Sequence, residues 1–437
     1  MKILILYQLR DRTDRSTIYE HLYSFKKFNL QHNFHYLNVF DGIPDFVRKI
    51  KYDAVILHYT FLAGERFLKD DTLWLKKTRG LEDVSGYKIA IPQDEYDHTE
   101  RLCNLFKRVG VQAVYTCFEK DEDIVKAYPY EKTGVEKFFK VYTGYVDEKK
   151  IPGLKNKWTP YGERPIDIGY RARMLPAYFG RHGQLKYRLV GIFNEALKGR
   201  GLNTDIQNTN HTFTDENVKV VKHGRSWYDF LLSCKAFIGC EGGSSLLDFD
   251  GSIKERISEY CVNHPKAEFD EIEENCFKGL DYNISCFALS PRHFEAVMTK
   301  TLQILVEGTY GGIFKAGEHY ISIKADFSNL DVILATLKDD DYCQKIVDQA
   351  FIDIALSGKY TYAKFVGNVI RDIEENCNEF SEPYFVAYGI VIKWRNRYLL
   401  NKPLLREAFF KSDFFKSAYP KYVKYVRPYV RRERTGK

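Results

Sequence analysis

The chain opens on a short apolar run, Met1 to Tyr7 (MKILILY), followed by a charged loop, Arg10 to Arg15, and an amphipathic stretch through Phe28. A continuous apolar run between polar boundaries predicts a strand covered on both faces, and the amphipathic stretch predicts a helix. The same rhythm recurs at Tyr52 to His58, Tyr87 to Ile91, Ala113 to Cys117 and Lys140 to Thr143, with helical or polar sequence between the runs. It breaks at Ile151 to Pro165 (IPGLKNKWTPYGERP), where three prolines, two glycines and several charges replace hydrophobic periodicity and mark a linker. Beyond the linker it restarts. Strands are expected at Ile166 to Gly169, Val218 to Val221, Ala236 to Cys240, Gln303 to Val306 and Tyr320 to Ile323, and helices at Gln184 to Lys198, Trp227 to Ser233 and Arg292 to Thr299.

Alternation of this kind predicts an α/β protein of two Rossmann-like, doubly wound domains facing a cleft. The expected divisions are a first domain at 1–150, the linker at 151–165, a second domain at 166–375, and C-terminal helices with a basic, aromatic tail at 376–437. That last segment is expected to return to the first domain or to reach a membrane surface. In open α/β sheets ligands bind beyond the carboxyl ends of the strands, so the loops after the strands are where chemistry is sought.

A length of 437 residues fits two or three domains, and 44% hydrophobic with 29% charged residues is an ordinary folded composition. The formal charge of +7 is localised. Residues 402–437 hold 11 Lys and Arg against 3 Asp and Glu, leaving 55 basic and 56 acidic residues in the rest. A neutral body argues against a long positive groove for nucleic acid, so no nucleic-acid partner is expected there; a cationic end suits an anionic surface. Nine cysteines, an odd number without a Cys-x-x-Cys pair, read as reduced thiols and not as a disulfide frame or zinc site. The first apolar run is too short for a signal peptide, and no stretch approaches the roughly 18 apolar residues of a membrane span. A cytoplasmic protein, peripheral to the membrane, is the expectation.

Ser290 to Leu305 is the densest candidate. Pro291 starts a helix, Arg292 and Glu295 lie in its first turns, and a strand follows. A carboxylate there can accept hydrogen bonds from vicinal ribose hydroxyls, or can serve only the helix dipole. Glu241-Gly242-Gly243-Ser244-Ser245 follows a strand; its glycines permit close backbone approach and its hydroxyls can cradle phosphate or sugar, or the segment is a plain tight turn. Arg171, Arg173, Arg181 and Lys186 can offset charge on a leaving nucleoside diphosphate, or lie solvated. In the first half His58, Asp94 and Glu95 sit at strand ends and are the candidates for a general base, or cap the helices that follow. Asp248-Phe249-Asp250-Gly251 has no EF-hand continuation and reads as a turn, so no metal is expected.

The run Arg292-His293-Phe294-Glu295-Ala296, with Ser233 to Ser245, Phe314 to Ile321 and Pro92 to Tyr96, resembles GT-B glycosyltransferases of the bacterial group-1-like branch that builds surface polysaccharides. The resemblance covers residues 1 to about 370. It implies transfer of a sugar from a nucleotide-activated donor to a glycan or lipid-linked glycan, as in lipopolysaccharide, O-antigen or capsule synthesis, with no essential cofactor. Many members carry Glu-x7-Glu; Glu295 matches the second Glu, but the first position is Phe287, so a retaining mechanism is not carried over. The rival readings are a catalytically silent binding subunit of a polysaccharide assembly and a nucleotide-sugar epimerase. In residues 403–437, Phe409, Phe410, Phe414, Phe415, Tyr419, Tyr422, Tyr425 and Tyr429 interleave with basic residues, which suits an anionic membrane surface, packing against the first domain, or an RNA-binding arm.

Overall fold

The computed structural model describes residues 1–9, 15–209, 222, 224–378 and 385–408; the side chains of 209 and 401–408 lie outside what is described. The first domain is a parallel sheet of β1 (Lys2–Tyr7), β2 (Asn33–Asn38), β3 (Ala54–His58), β4 (Tyr87–Ile91), β5 (Ala113–Thr116) and β6 (Lys137–Lys140), in the order β2-β1-β3-β4-β5-β6. The second holds β7 (Ile166–Arg173), β8 (Thr204–Thr209), β9 (Cys234–Gly239), β12 (Leu302–Val306) and β13 (Ile321–Ile323), also parallel, in the order β13-β12-β9-β7-β8. A small antiparallel pair, β10 (Gly242–Ser244) and β11 (Cys286–Ala288), stands apart from both. The two doubly wound halves are those the alternation predicts.

Central strands were legible because both their faces are buried: β3 and β4 have no exposed residue. Of the edge strands, β13 was legible at Tyr320 to Ile323, whereas β2 and β8 were not. β2 (NFHYLN) and β8 (TDIQNT) carry no apolar run, and β6 is mostly exposed and lies at 137–140, ahead of the apolar residues 140–143 that suggested it. Val218 to Val221 lies outside the described residues. The linker contains a short helix, Ile151–Lys155, and a 3-10 turn at Tyr161–Glu163.

The chain returns to the first domain earlier than residue 376. Val146 and residues 360–362 exchange backbone hydrogen bonds of 2.9 and 3.0 Å, and helix Tyr362–Asn376 then buries Tyr362, Phe365, Val369 and Ile373 with the apolar residues of β1, β3 and helix Ser16–Phe28. Helix Phe385–Ala408 follows and lies along edge strand β2. Its Asn396 side chain pairs with that edge as a neighbouring strand would: Asn38 N–H donates to Oδ1 at 3.0 Å, and Nδ2 donates to the Tyr36 carbonyl at 2.5 Å. The exposed ladder of an edge strand is thereby covered.

Residues 246–285, inserted between β10 and β11, form helices Ser252–Asn263 and Phe269–Cys276 on their own small core. The insertion joins the loop after β4: His98 N–H donates to the Asp248 carbonyl at 2.9 Å, Glu100 N–H to Phe249 at 2.8 Å, and Asp248 N–H to Tyr96 at 2.8 Å. The Asp248 carboxylate accepts from the amides of Gly251, Ile253 and Lys254, so this segment is the expected turn, capping a helix. One edge of the inter-domain cleft is thus stitched by backbone hydrogen bonds.

Candidate active site

The loop after β4 presents Asp94. It is exposed, has φ +52°, and accepts a hydrogen bond from Tyr96 Oη at 2.8 Å. Left-handed backbone is uncommon outside glycine, though Asp tolerates it, and it is sustained where surrounding structure fixes it. Arg66 does so here. Its fully buried guanidinium donates to the carbonyls of Leu62 (2.7 Å), Gln93 (3.3 Å), Asp94 (3.1 Å) and Asp97. Removing it strands buried acceptors, so Arg66→Leu is expected to cost on the order of 3 kcal/mol. The check is the urea midpoint at unchanged slope; an unshifted midpoint contradicts the clamp.

The other two base candidates face inward. Glu95 is fully buried and accepts from Thr116 Oγ1 (2.8 Å), Cys117 N–H (2.6 Å) and Tyr128 Oη (2.6 Å). Burial pushes its carboxyl up to about 7, against the lowering effect of those donors. His58 is also fully buried. Its Nδ1 accepts from Thr60 N–H at 3.2 Å, which assigns the hydrogen to Nε2, donating to His21 Nδ1 at 3.0 Å; burial, then His21, holds its pKa well below the usual value. Both are corrected from base candidates to interior groups, because every acceptor they own is already used within the first domain.

In the second domain Glu295 points from helix Pro291–Met298 into the cleft. It is 5% exposed; Oε2 accepts from Trp227 Nε1 at 2.7 Å, and Oε1 has no hydrogen-bond partner among the described residues. Burial, followed by the charge of Glu20 on the first domain, raises its carboxyl to about 7, while Trp227, Lys150 and Arg292 act the other way. A buried carboxylate oxygen without a donor is costly unless something arrives to fill it.

Near it lies Arg292, and near Arg292 lies Lys186. Neither forms an ion pair among the described residues; Arg292 donates to the Arg171 carbonyl at 3.1 Å, with its guanidinium 5.7 Å from the Trp227 ring and 5.9 Å from the Phe237 ring. The Lys186 ammonium lies against Gly242, where an added Cβ would stand 3.1 Å away, so the glycine there gives the cation room. Burial lowers the Lys186 pKa, the Arg292 charge lowers it further, and Asp94 across the cleft opposes both. Among the described residues no carboxylate lies within ion-pair distance of either cation, an arrangement that could hold an anion.

The remaining candidates divide. Arg171 is spent on Asp205 and on the carbonyls of Tyr170 and Asp205, and Arg181 on Asp270 and Glu273 of the insertion. Arg173 is exposed at the end of β7. Gly242, Gly243 and Ser244 form β10 instead of an open amide loop; Gly243 has φ +88° with an added Cβ 1.8 Å from the Cys286 carbonyl oxygen. Ser244 Oγ is shared between Phe179 and Leu246, and Ser245 Oγ donates to Asp281 at 2.6 Å and accepts from His182 N–H. Glu241 accepts from Thr309 Oγ1 and Tyr310 N–H, fixing the loop after β12. The side chains of Arg171, Arg181, Glu241, Ser244 and Ser245 are thus each engaged by partners within the protein. Trp227, Glu20, Lys150 and Arg66 were missed, since each joins the site only through contacts far apart in sequence. All nine cysteines are free. The only His and carboxylate group of metal-binding size among the described residues, Glu318, His319 and Asp353, is held together by its own hydrogen bond, His319 to Asp353 at 3.0 Å.

No protein-family model matches this chain, and no curated protein matches it. The chain is distantly similar to several solved structures. HepE of Anabaena, in complex with UDP-glucose, is 10% identical, with 86% of this chain and 100% of that chain covered and a TM-score of 0.44. Sucrose-phosphate synthase from Thermosynechococcus elongatus is 10% identical over 86% and 99%, TM-score 0.43, and an alpha1,3-fucosyltransferase is 10% identical over 86% and 90%, TM-score 0.43.

Proposed function

We propose that this protein is a glycosyltransferase that moves a sugar from a nucleotide-activated donor to a glycan, lipid-linked and presented at the inner, anionic face of a bacterial membrane, in surface polysaccharide synthesis. The observation that carries the reading is Glu295 Oε1, buried and without a donor among the described residues, near Arg292 and, through it, Lys186, neither of which has an ion-pair partner among them. Vicinal ribose hydroxyls supply donors to that oxygen, and a diphosphate supplies the negative charge that Lys186 and Arg292 lack. Gly242 keeps the approach to Lys186 open.

The acceptor enters from the first domain. Asp94 takes the proton of its attacking hydroxyl, the oxygen forms a bond to the anomeric carbon, and the bond from that carbon to the phosphate oxygen breaks. The electron pair leaves with the nucleoside diphosphate, whose growing charge the two cations offset, so no metal is required. This displacement inverts the anomeric centre. It suits a chain in which Phe287, stacked on His182 with ring centroids 3.9 Å apart, stands where a retaining relative has a carboxylate.

Donor affinity is expected to weaken as pH falls through about 7, since the ribose hydroxyls donate best to ionised Glu295, whose folded pKa is raised to about 7. Calorimetric titration of UDP, GDP, CMP and dTDP sugars between pH 5.5 and 8.5 checks this, with Glu295→Gln expected to lose affinity several-fold at pH 8 and to flatten the profile. Equal affinity and an unchanged profile in Glu295→Gln remove its ribose role. Donor binding with neither transfer nor hydrolysis favours the silent binding subunit.

A further inference from the structure

Residues 246–285 leave the second domain between β10 and β11 and fasten to the first domain at both of their ends. At the first end the backbone ladder to the loop after β4 is joined by Lys254, whose ammonium donates to Asp97 at 2.8 Å and to the Phe67 carbonyl at 3.3 Å. Gly251, at φ +89°, leaves no room for a Cβ against the His98 ring. At the second end Asp123, of helix Asp121–Ala127, accepts from Ser285 N–H at 3.0 Å, and Lys126 donates to the Asn283 carbonyl at 3.0 Å. Ile284, with Cys286 beside it, is buried among apolar residues of the first domain. Asn283 Oδ1 accepts from Leu247 N–H at 2.7 Å and Nδ2 donates to the Leu247 carbonyl at 3.3 Å, which closes the neck of the insertion. Its body grips the second domain. Asp281 accepts from Arg181 N–H at 2.9 Å and from Ser245 Oγ at 2.6 Å, and the Arg181 side chain pairs with Asp270 and Glu273. Arg181 lies in the first turn of helix Gly180–Leu197, five residues before Lys186, where a carboxylate suits the free amides of the helix start. Phe179, just before that helix, also bears on the base loop: its ring stands edge-on, 5.6 Å from that of Tyr96, whose hydroxyl holds Asp94.

We infer that residues 246–285 are a positioning element, a strut that sets the spacing between Asp94 and the helix of Lys186, so that base and cation are in place before substrates bind. This rests on the roles given to Asp94 and Lys186 in the proposed function, and adds how the two are held. Opening the cleft at this edge breaks three backbone hydrogen bonds, the Lys254 to Asp97 pair and the contacts of Asn283 and Ser285 together. A segment anchored at both ends on one domain and by its body on the other ties the two sides of the cleft at one width. That width matters to the reaction, since a misplacement of about 1 Å between reacting groups costs up to about a hundredfold in rate. Arg181, Ser245 and Asp281 are then positioning residues, acting through the helix they hold and not through contact with a substrate. Tyr96 plays the same part on the other side, with its ring set against Phe179 and its hydroxyl on Asp94.

The test joins native-state amide exchange to kinetics on the full chain. The amides of His98, Glu100 and Asp248 bond across the junction, and are expected to be protected to within about tenfold of the β4 amides, with or without UDP, GDP, CMP or dTDP sugars. Gly251→Ala, which wedges the His98 ring away, is expected to speed their exchange at least about tenfold. That variant, and Asp281→Ala with Arg181→Met, which frees the other anchorage, are each expected to lower kcat about ten- to a hundredfold while the donor dissociation constant stays within about threefold of wild type. Wild-type junction amides that exchange faster than this, or that become protected only when a donor is added, overturn the strut. Wild-type kcat in both variants overturns its positioning role. Loss of donor affinity in step with kcat does so too, because it places the insertion in donor binding. A wild-type chain without transfer activity sinks the proposed function and leaves the strut to be judged by exchange alone.

Discussion

Asp94→Asn is expected to lower kcat between about a hundred- and ten-thousandfold, the range over which a positioned general base contributes, with donor affinity within about threefold of wild type. The substitution is suited to the question because Asn, like Asp, tolerates the left-handed backbone that residue 94 adopts, and keeps an oxygen for Tyr96 Oη. The Arg66 clamp on the loop carbonyls is untouched. What disappears is the capacity to take a proton. Glu95→Gln is the internal contrast: its carboxylate serves Thr116, Cys117 and Tyr128 in the interior, so it is expected to shift the unfolding midpoint and spare kcat. Steady-state rates for both variants decide. A kcat for Asp94→Asn within tenfold of wild type removes Asp94 as the base, and a collapse of kcat in stable Glu95→Gln reassigns the role.

That contrast also shows where the sequence was readable. Two adjacent carboxylates after a strand are equivalent on paper. They are separated by backbone direction alone, Asp94 turning out at positive φ while Glu95 turns in to three donors supplied by Thr116, Cys117 and Tyr128. The alternation of apolar runs specified two doubly wound halves because central parallel strands are buried on both faces. It was silent on β2 and β8, edge strands whose polar residues show no period. The serines after β9 looked like a phosphate cradle because their partners, Phe179 and Asp281, are some 65 and 36 residues away. The insertion that supplies Asp281 also consumes Arg181, through Asp270 and Glu273. Of the cation set, Lys186 gains its meaning from Arg292, which enters from a different helix.

The pairing of Lys186 with Arg292 leads to the other large effect. Lys186→Met and Arg292→Met are each expected to lower kcat/KM for the donor by about a hundred- to a thousandfold, the scale of losing one preorganised group at a developing charge. Both cations are held near one another without an ion-pair partner among the described residues, and burial with this neighbour depresses the Lys186 pKa. A lysine whose folded pKa lies below its unfolded value destabilises the folded state at neutral pH; the penalty starts to ease as pH rises past the folded pKa and is gone above the unfolded one. Lys186→Met is therefore expected to raise the melting temperature of the ligand-free protein at pH 7 while reducing the shift caused by a nucleotide sugar. The two signs together separate a functional site from a scaffold, since removing a structural lysine from a salt bridge lowers the melting temperature and leaves the donor shift intact. Differential scanning fluorimetry at pH 7 with and without donor provides the check. A lower melting temperature combined with an intact donor shift would assign Lys186 to the fold and move the diphosphate to Arg173, the remaining exposed guanidinium at the end of β7.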